Sequence, residues 1–350
     1  MAPLEPFLAT GIGSLPHEDE AAAFRLIVHH FPEIPFWPQL PKRSSLEAMV
    51  SQYSEGFPGL RWEEETGHLS LDTSDGFEAE IERFYHDIEA DRTESFAMTE
   101  SFAKGLEILE ILSQEPYRKR IQYVKGQIIG PVTFGLSLTD HEKRPIFYDP
   151  TLRDILVKHL RSKARWMIQR FHQALPDKPV LLFFDEPSLA SFGSAFSGLN
   201  REDVIGALNA CLDGLDGLRG IHCCGNTDWS LILSTDIDVL SFDAYGFAEH
   251  LSLYPKELQR FLERGGILAW GIVTTNESIL REDVSSLKER FRQGVEAFCR
   301  KGIDRERLRQ GILTPSCGLA SLSVPLAERA CRLTSELSLL LREKKGDWFC

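Results

Sequence analysis

The chain has 350 residues, and its 39 Lys and Arg against 52 Asp and Glu give a formal net charge of −13 at pH 7. With 43% hydrophobic and 26% charged residues, its composition is that of a soluble globular protein, which excludes intrinsic disorder, collagen-like repeats and a coiled coil. The acidic charge argues against general nucleic-acid binding, and neither a membrane span nor a signal peptide is recognisable. We therefore expect a cytoplasmic protein that binds neither nucleic acid nor membrane.

Short apolar segments bounded by turn residues alternate with amphipathic segments along almost the whole chain. Seven apolar segments predict strands buried on both faces, at 7–14, 122–134, 179–187, 218–225, 237–245, 265–275 and 309–318. The segment 31–40 is the best candidate for an eighth strand, despite its prolines. Between the strands, 149–175 and 282–302 have helical patterns and begin with residues suited to a helix N-terminus.

Strands that alternate with helices predict parallel pairing with right-handed crossover connections. Eight such units in a chain of this length predict an α/β fold, a single (β/α)8 TIM barrel that covers 1–350 as one catalytic domain. A doubly wound sheet is the alternative, but no GxGxxG motif follows the first strand. The segment from about 55 to 105 fits the barrel pattern poorly, so we interpret it as an insertion near the barrel mouth.

Polar and unusual residues occur where the predicted strands end, which is where TIM barrels carry their chemistry. These groups are Ile12-Gly13-Ser14 with His17, Gly130 to Thr133, Asp185-Glu186, His222 to Asn226, Asp243 with Tyr245, and Ser316-Cys317-Gly318. Six strand ends of this kind would be unusual for a scaffold without a catalytic function.

Seven cysteines without an export signal argue against a disulfide framework. Cys211, Cys299 and Cys331 lie in helix-like segments and are predicted to be small buried hydrophobic residues. Cys350 ends a charged tail that we predict to be mobile. Three cysteines therefore remain for other roles, at positions 223, 224 and 317.

His222 and Cys224 are two residues apart on one predicted strand, so their side chains project to the same side while Cys223 points away. Cys317, at the end of the last strand, faces the same mouth. One imidazole and two thiolates suit zinc, and three protein ligands leave the exchangeable position typical of a catalytic site. Asp243 is a candidate for a weak fourth ligand. The alternative interpretation is that the two adjacent cysteines pack in the core and His222 is only hydrogen-bonded.

Other strand-end residues are candidates for binding a substrate. Asp185 and Glu186 close an apolar strand, where adjacent carboxylates cost desolvation free energy unless they bind something. They predict a site for a substrate ammonium group, with a salt bridge or a helix cap as the alternative. The turn 12–14 offers backbone N–H groups and a hydroxyl that suit a carboxylate. Tyr245 is a further candidate for contacting the substrate. Asp185 is also a candidate catalytic residue. His17 is either another catalytic residue or a residue that merely precedes the first helix.

The motifs IGSLPH, GPVTF, DEPSL, HCCGN and TPSCGL occur in the order found in the cobalamin-independent methionine synthase family. Over essentially the whole chain they resemble the C-terminal catalytic barrel of that family, within the uroporphyrinogen decarboxylase and methionine synthase-like superfamily. The resemblance implies zinc held by His222, Cys224 and Cys317, with Asp243 near the position of a glutamate ligand. It also implies that the turn 12–14 holds the carboxylate of an amino acid, and that Asp185 holds its ammonium group.

The function implied by this resemblance is zinc-dependent methyl transfer to a small-molecule thiol, most simply homocysteine, to give methionine through a zinc-bound thiolate. A free thiol has a pKa of about 8.5, and zinc coordination removes its proton. The residues with which the family grips a polyglutamylated folate are not found, so the methyl donor is either a methylfolate or a methyl-corrinoid protein. Two alternatives stay open: a corrinoid-linked methyltransferase with another thiol acceptor such as coenzyme M, and a non-enzymatic zinc-binding barrel.

Overall fold

The structure is a computed structural model that describes residues 4–63, 68–74, 76–193 and 198–343. Its strands are β1 (Leu8–Ala9), β2 (Leu60–Glu63), β3 (His68–Leu71), β4 (Val124–Ile129), β5 (Val180–Asp185), β6 (Leu218–Cys223), β7 (Val239–Phe242), β8 (Ile267–Val273) and β9 (Gly311–Pro315). Its helices are α1 (Glu20–His30), α2 (Met49–Gln52), α3 (Phe77–Glu89), α4 (Glu100–Ala103), α5 (Ile108–Leu112), α6 (Tyr117–Arg120), α7 (Pro131–Ser137), α8 (Pro150–Ala174), α9 (Arg201–Leu212), α10 (Trp229–Leu233), α11 (Ala244–Leu251), α12 (Pro255–Glu263), α13 (Val284–Arg300) and α14 (Val324–Glu343). Cys350 and its predicted mobile tail lie outside the described residues.

Seven strands form one curled parallel sheet in the order β1-β9-β8-β7-β6-β5-β4. From β4 to β9 every strand pairs with the next strand along the chain, and β9 pairs with β1. Helices connect the strands, as parallel pairing requires. The predicted α/β fold is confirmed, and each of the seven predicted strands forms as a piece of its apolar segment.

The eighth predicted strand does not form. The segment 31–40 lies between the two edge strands, where single parallel bridges join Gln39 to Ser14 and Phe36 to Lys125. Its three prolines lack backbone N–H groups, so it cannot continue a regular ladder with either neighbour. The structure therefore shows a curled parallel sheet of seven strands, and the predicted closed (β/α)8 barrel is not confirmed.

Side chains alternate between the two faces of the sheet. One face, called the inner face below, carries a small apolar cluster drawn from several strands: Leu8, Leu181, Phe183, Val239, Ile267, Ala269 and Ile312. The residues between them, such as Leu182, Phe184 and Leu240, belong to the larger core that packs against the helices. The sheet is thus buried on both faces, which explains why its strands are continuous apolar segments.

The predicted insertion and the two predicted helices are present. The antiparallel strand pair β2–β3, helix α3 and several short helices precede β4 and lie outside the seven-stranded sheet. Helices α8 and α13 begin after Asp149 and Asp283, whose carboxylates accept hydrogen bonds from backbone N–H groups of the first turn. Among the described helices, none combines the length and the apolar character that crossing a membrane requires.

Candidate functional site

The inner face changes from apolar to polar at the carboxyl ends of its strands. Asp185 pairs with His222 across the β5–β6 ladder, and His222 pairs with Ser241 across the β6–β7 ladder. Paired residues of a parallel ladder point to the same face. Because Asp185 follows Leu181 and Phe183 at a spacing of two, all three polar side chains stand on the inner face, beyond the apolar cluster.

The structure brings the three predicted metal ligands together. One ligand atom from each of His222, Cys224 and Cys317 lies within 4.8 Å of the other two. His222 is buried, whereas both cysteines are partly exposed. Cys223, by contrast, is buried in the core between sheet and helices, and its thiol donates to the Gly225 carbonyl at 3.6 Å. The strand alternation therefore separates the two adjacent cysteines.

These side chains suit a metal ion chemically. The His222 Nδ1 lies 2.9 Å from the Ser241 Oγ, whereas the buried Nε2 has no partner among the described residues. The hydrogen bond with Cys317 and the nearby His222 lower the pKa of Cys224 to about 4, and the same sulfur contact raises the pKa of Cys317. An unpaired imidazole nitrogen beside a thiolate and a thiol is a donor set that fits zinc.

Asp243 is close to this centre but has another partner. It is the N-cap residue of α11, and its Oδ1 accepts the Gly246 N–H at 2.8 Å. Burial raises the pKa of its carboxyl to about 6, and the charge of Cys224 adds to this shift. Asp243 is not among the three residues whose ligand atoms lie within 4.8 Å of one another. Its role as a fourth ligand stays a prediction.

The turn 12–14 lies against the loop that carries Cys317. The Leu319 N–H donates to the Ser14 carbonyl at 2.9 Å, and a Cβ on Gly318 would lie 2.2 Å from the Ser14 Oγ. The backbone N–H groups of all three turn residues donate to no acceptor within the described ranges, although the first two residues are buried. Backbone N–H groups that have no acceptor within the protein can bind an anion, so this turn suits a carboxylate.

The two adjacent carboxylates have different environments. Asp185 is buried, its Oδ1 has no partner among the described residues, and burial raises its pKa to about 6. Glu186 accepts the Val132 N–H at Oε1, and it accepts the N–H and the hydroxyl of Thr133 at Oε2. Glu186 thus caps α7, which is the alternative that the sequence left open. Asp185 is the carboxylate that remains available to a substrate.

His17 and Tyr245 were the other predicted site residues. His17 is 3% exposed, neither of its ring nitrogens has a partner in the described part of the chain, and burial lowers its pKa. The Tyr245 hydroxyl donates to Glu282 at 2.7 Å, and the Arg290 guanidinium lies 3.9 Å from the centre of its ring. The structure therefore leaves His17 unpaired and ties Tyr245 to neighbouring side chains, and their roles in the site stay predictions.

Sequence reasoning missed a polar network behind the turn 12–14. The Lys125 Nζ donates to the Ile12 carbonyl at 2.6 Å and to the Gln127 Oε1 at 3.2 Å. The Gln127 amide in turn donates to the Trp37 carbonyl, and the Tyr53 hydroxyl donates to the Gln127 carbonyl. The available signal was a lysine and a glutamine two residues apart in an otherwise apolar strand segment.

Comparison with known proteins gives matches in structure only, because no protein-family model and no curated protein sequence matches the chain. The chain is similar to a B12-independent methionine synthase from a Shewanella species in complex with selenomethionine (TM-score 0.58, 14% identity, covering 97% of this chain and 99% of that chain). It is also similar to a putative vitamin-B12-independent methionine synthase from Listeria monocytogenes (TM-score 0.56, 15% identity, 97% and 98% covered). A methyltransferase from Methanosarcina mazei matches at TM-score 0.54 and 14% identity, with 97% and 95% covered. At such identities these similarities concern the fold.

Proposed function

We propose that this protein is a zinc-dependent methyltransferase that transfers a methyl group to the sulfur of homocysteine and yields methionine. The observation that carries the proposal is the group of His222, Cys224 and Cys317 within 4.8 Å. Among the described residues, this group lies beside a turn with unpaired N–H groups and close to Asp185, whose Oδ1 has no partner. Methionine synthase-like proteins and a methyltransferase among the structural neighbours support methyl transfer. The methyl donor would be a methylfolate or a methyl-corrinoid protein.

Each group has a role in this proposal. The unpaired His222 Nε2 and the two sulfur atoms would hold the zinc ion, with Ser241 fixing the imidazole. A bound zinc ion supplies positive charge that keeps a substrate thiol deprotonated near neutral pH. The turn 12–14 binds the acceptor carboxylate, and Asp185 accepts a hydrogen bond from its ammonium group. Two fixed contacts at one end of the acceptor position its sulfur, which lowers the entropic cost of the reaction.

Zinc stoichiometry tests the metal site independently of activity. We expect Cys224→Ser and Cys317→Ser to lose stoichiometric zinc while the fold is retained, because each removes a sulfur from the group of three. Cys223→Ser is the matched control, since this neighbouring thiol lies on the other face of the sheet and should not affect the metal. Metal analysis with circular dichroism measures both quantities. Stoichiometric zinc in Cys224→Ser would refute the ligand assignment.

The reaction is tested by supplying homocysteine with methylfolate and with methylcobalamin in parallel, and measuring methionine. Product with either donor supports the proposal and identifies the donor class. A thiol titration of the zinc-loaded protein then compares homocysteine with coenzyme M, because thiol deprotonation at the metal releases a proton. Proton release with coenzyme M alone would indicate the other acceptor, and no release with any thiol would indicate a non-enzymatic zinc site.

A further inference from the structure

Lys125 is a buried cation without an ion-pair partner. Its side chain is 0% exposed, and no carboxylate in the described part of the chain lies within 4.0 Å of its Nζ. Its contacts are the Ile12 carbonyl, the Gln127 amide oxygen and the ring of Phe183, whose centre lies 4.7 Å from the Nζ. Burying a charge is costly unless an opposite charge compensates it. Among the described residues the Nζ therefore has no anion in direct contact, and the Asp185 carboxylate acts on it only from a greater distance.

The lysine also fixes the direction of the unpaired N–H groups. In a planar trans peptide the carbonyl and the following N–H point in opposite directions. Because the Lys125 ammonium binds the Ile12 carbonyl, the Gly13 N–H is turned to the side opposite the lysine. The turn is packed closely against this network, since a Cβ on Gly13 would lie 2.5 Å from the Gln127 side chain. An anion bound by this turn would interact with the N–H dipoles directly. The lysine charge, on the opposite side of the peptide, would stabilise the anion further.

A second unpaired charge of opposite sign stands on the same face. Asp185 follows Phe183 at a spacing of two on β5, and its Oδ1 has no partner within the described residues. Burial lowers the pKa of Lys125 to about 7, and Asp185 opposes this shift from beyond ion-pair distance. Lys125 and Asp185, both buried and not in direct contact with each other, complement a ligand that carries an anionic and a cationic group.

We infer that Lys125 is a positioning residue through which the turn 12–14 selects the α-carboxylate of the acceptor. The inference deepens the proposed function and rests on it for the location of the acceptor. It adds a residue, Lys125, and a requirement on the substrate that the metal centre does not impose. A thiol without a carboxylate would leave the turn 12–14 and the lysine without their anion.

Equilibrium binding tests this selectivity without any methyl transfer. Isothermal titration calorimetry of the zinc-loaded wild-type protein compares methionine with 3-(methylthio)propylamine, which is methionine without its carboxylate. We expect methionine to bind about tenfold more tightly or better, because the turn and the lysine act on the missing group. In Lys125→Met the ratio of the two dissociation constants should fall towards one, mainly through weaker methionine binding.

The matched control is Lys163→Met, which neutralises another fully buried lysine, located on α8 and bonded to the Phe96 carbonyl. This variant should keep the wild-type ratio. Equal binding of the two ligands to the wild type, no binding of either, or a wild-type ratio in Lys125→Met would each overturn the inference. If Lys125→Met does not fold, Lys125→Gln, which keeps an N–H donor for the Ile12 carbonyl but removes the charge, takes its place and should show the same fall in the ratio. Selective methionine binding without methyl transfer would reject the proposed function alone, and methyl transfer to carboxylate-free thiols would reject this inference alone.

Discussion

Replacing Ser241 with alanine removes a single hydroxyl from the inner face and should weaken zinc binding. The Ser241 Oγ lies 2.9 Å from the His222 Nδ1, and the two residues are paired across neighbouring strands. This contact occupies one ring nitrogen and leaves the other, Nε2, as the nitrogen that would bind a metal ion. Without the hydroxyl, the imidazole can rotate, and neither ring nitrogen is fixed in a position to bind a metal ion.

The size of the effect follows from this one contact. Losing the hydrogen bond that orients a ligating histidine weakens metal binding about 10- to 100-fold. This range corresponds to about 1.4 to 2.7 kcal/mol of binding free energy. The Ser241 side chain is fully buried, so no solvent molecule replaces the lost partner at the Nδ1. We therefore expect the loss of zinc affinity in Ser241→Ala to lie well inside this range, not at its lower limit.

Competition for zinc against a chromophoric chelator measures the dissociation constant directly. Ser338→Ala is a suitable control, because Ser338 is also buried and its hydroxyl donates to the Phe7 carbonyl at 2.6 Å, away from the metal centre. Both variants should lose some folding stability, but only Ser241→Ala should lose zinc affinity. Equal zinc affinity in Ser241→Ala and the wild type would show that the serine does not select the metal-binding nitrogen.

Two further predictions concern stability and are measured by urea unfolding. Burial lowers the pKa of His159 to about 3 from its ordinary value of 6.5, so its contribution to stability is complete above pH 6.5 and is lost as the pH falls. The free energy of unfolding should fall by about 2 kcal/mol between pH 7 and pH 5 because of this group. In His159→Phe the free energy of unfolding should depend less on pH, and an equal pH dependence in the variant and the wild type would contradict this. Gly105→Ala should destabilise the fold by more than about 2 kcal/mol, because its Cβ would lie 1.9 Å from the Pro38 carbonyl. Gly206→Ala in α9, with open space around the Cβ, should instead stabilise it by up to about 1 kcal/mol, and the opposite order of the two glycine variants would refute the packing argument.

The parts of the site that depend on strand geometry alone could be predicted from the sequence. His222 and Cys224 share a face because a strand has a period of two, and the same rule places Cys223 in the core. Cys317 is almost a hundred positions further along the chain, but parallel strands bring their carboxyl ends to one edge of the sheet. Nothing beyond the order of strands and their direction was needed for this part of the site.

The parts that depend on three-dimensional partners could not be predicted. Glu186 is committed to the N-terminus of α7, and the sequence does not show which helix end meets which carboxylate. Lys125 meets the Ile12 carbonyl across 113 positions of sequence, and a lysine in an apolar strand does not indicate its partner. The segment 31–40 has the apolar content of a strand, but its prolines limit it to single bridges. In the first two cases a tertiary contact that is absent from the local pattern decides the outcome, whereas in the third the prolines outweigh the apolar content of the segment.

The position of Asp243 determines how a fourth metal ligand would behave. Its Oδ1 accepts the Gly246 N–H, so the carboxylate is held at the start of α11, and any movement towards a metal ion would compete with this cap. A cap of this kind stabilises a helix by about 1 kcal/mol. A ligand held in this way is displaced more easily than His222 or the two cysteines, which have no competing role in the fold. The fourth position would therefore be the one that a substrate thiol takes, while the three remaining residues keep the ion in place.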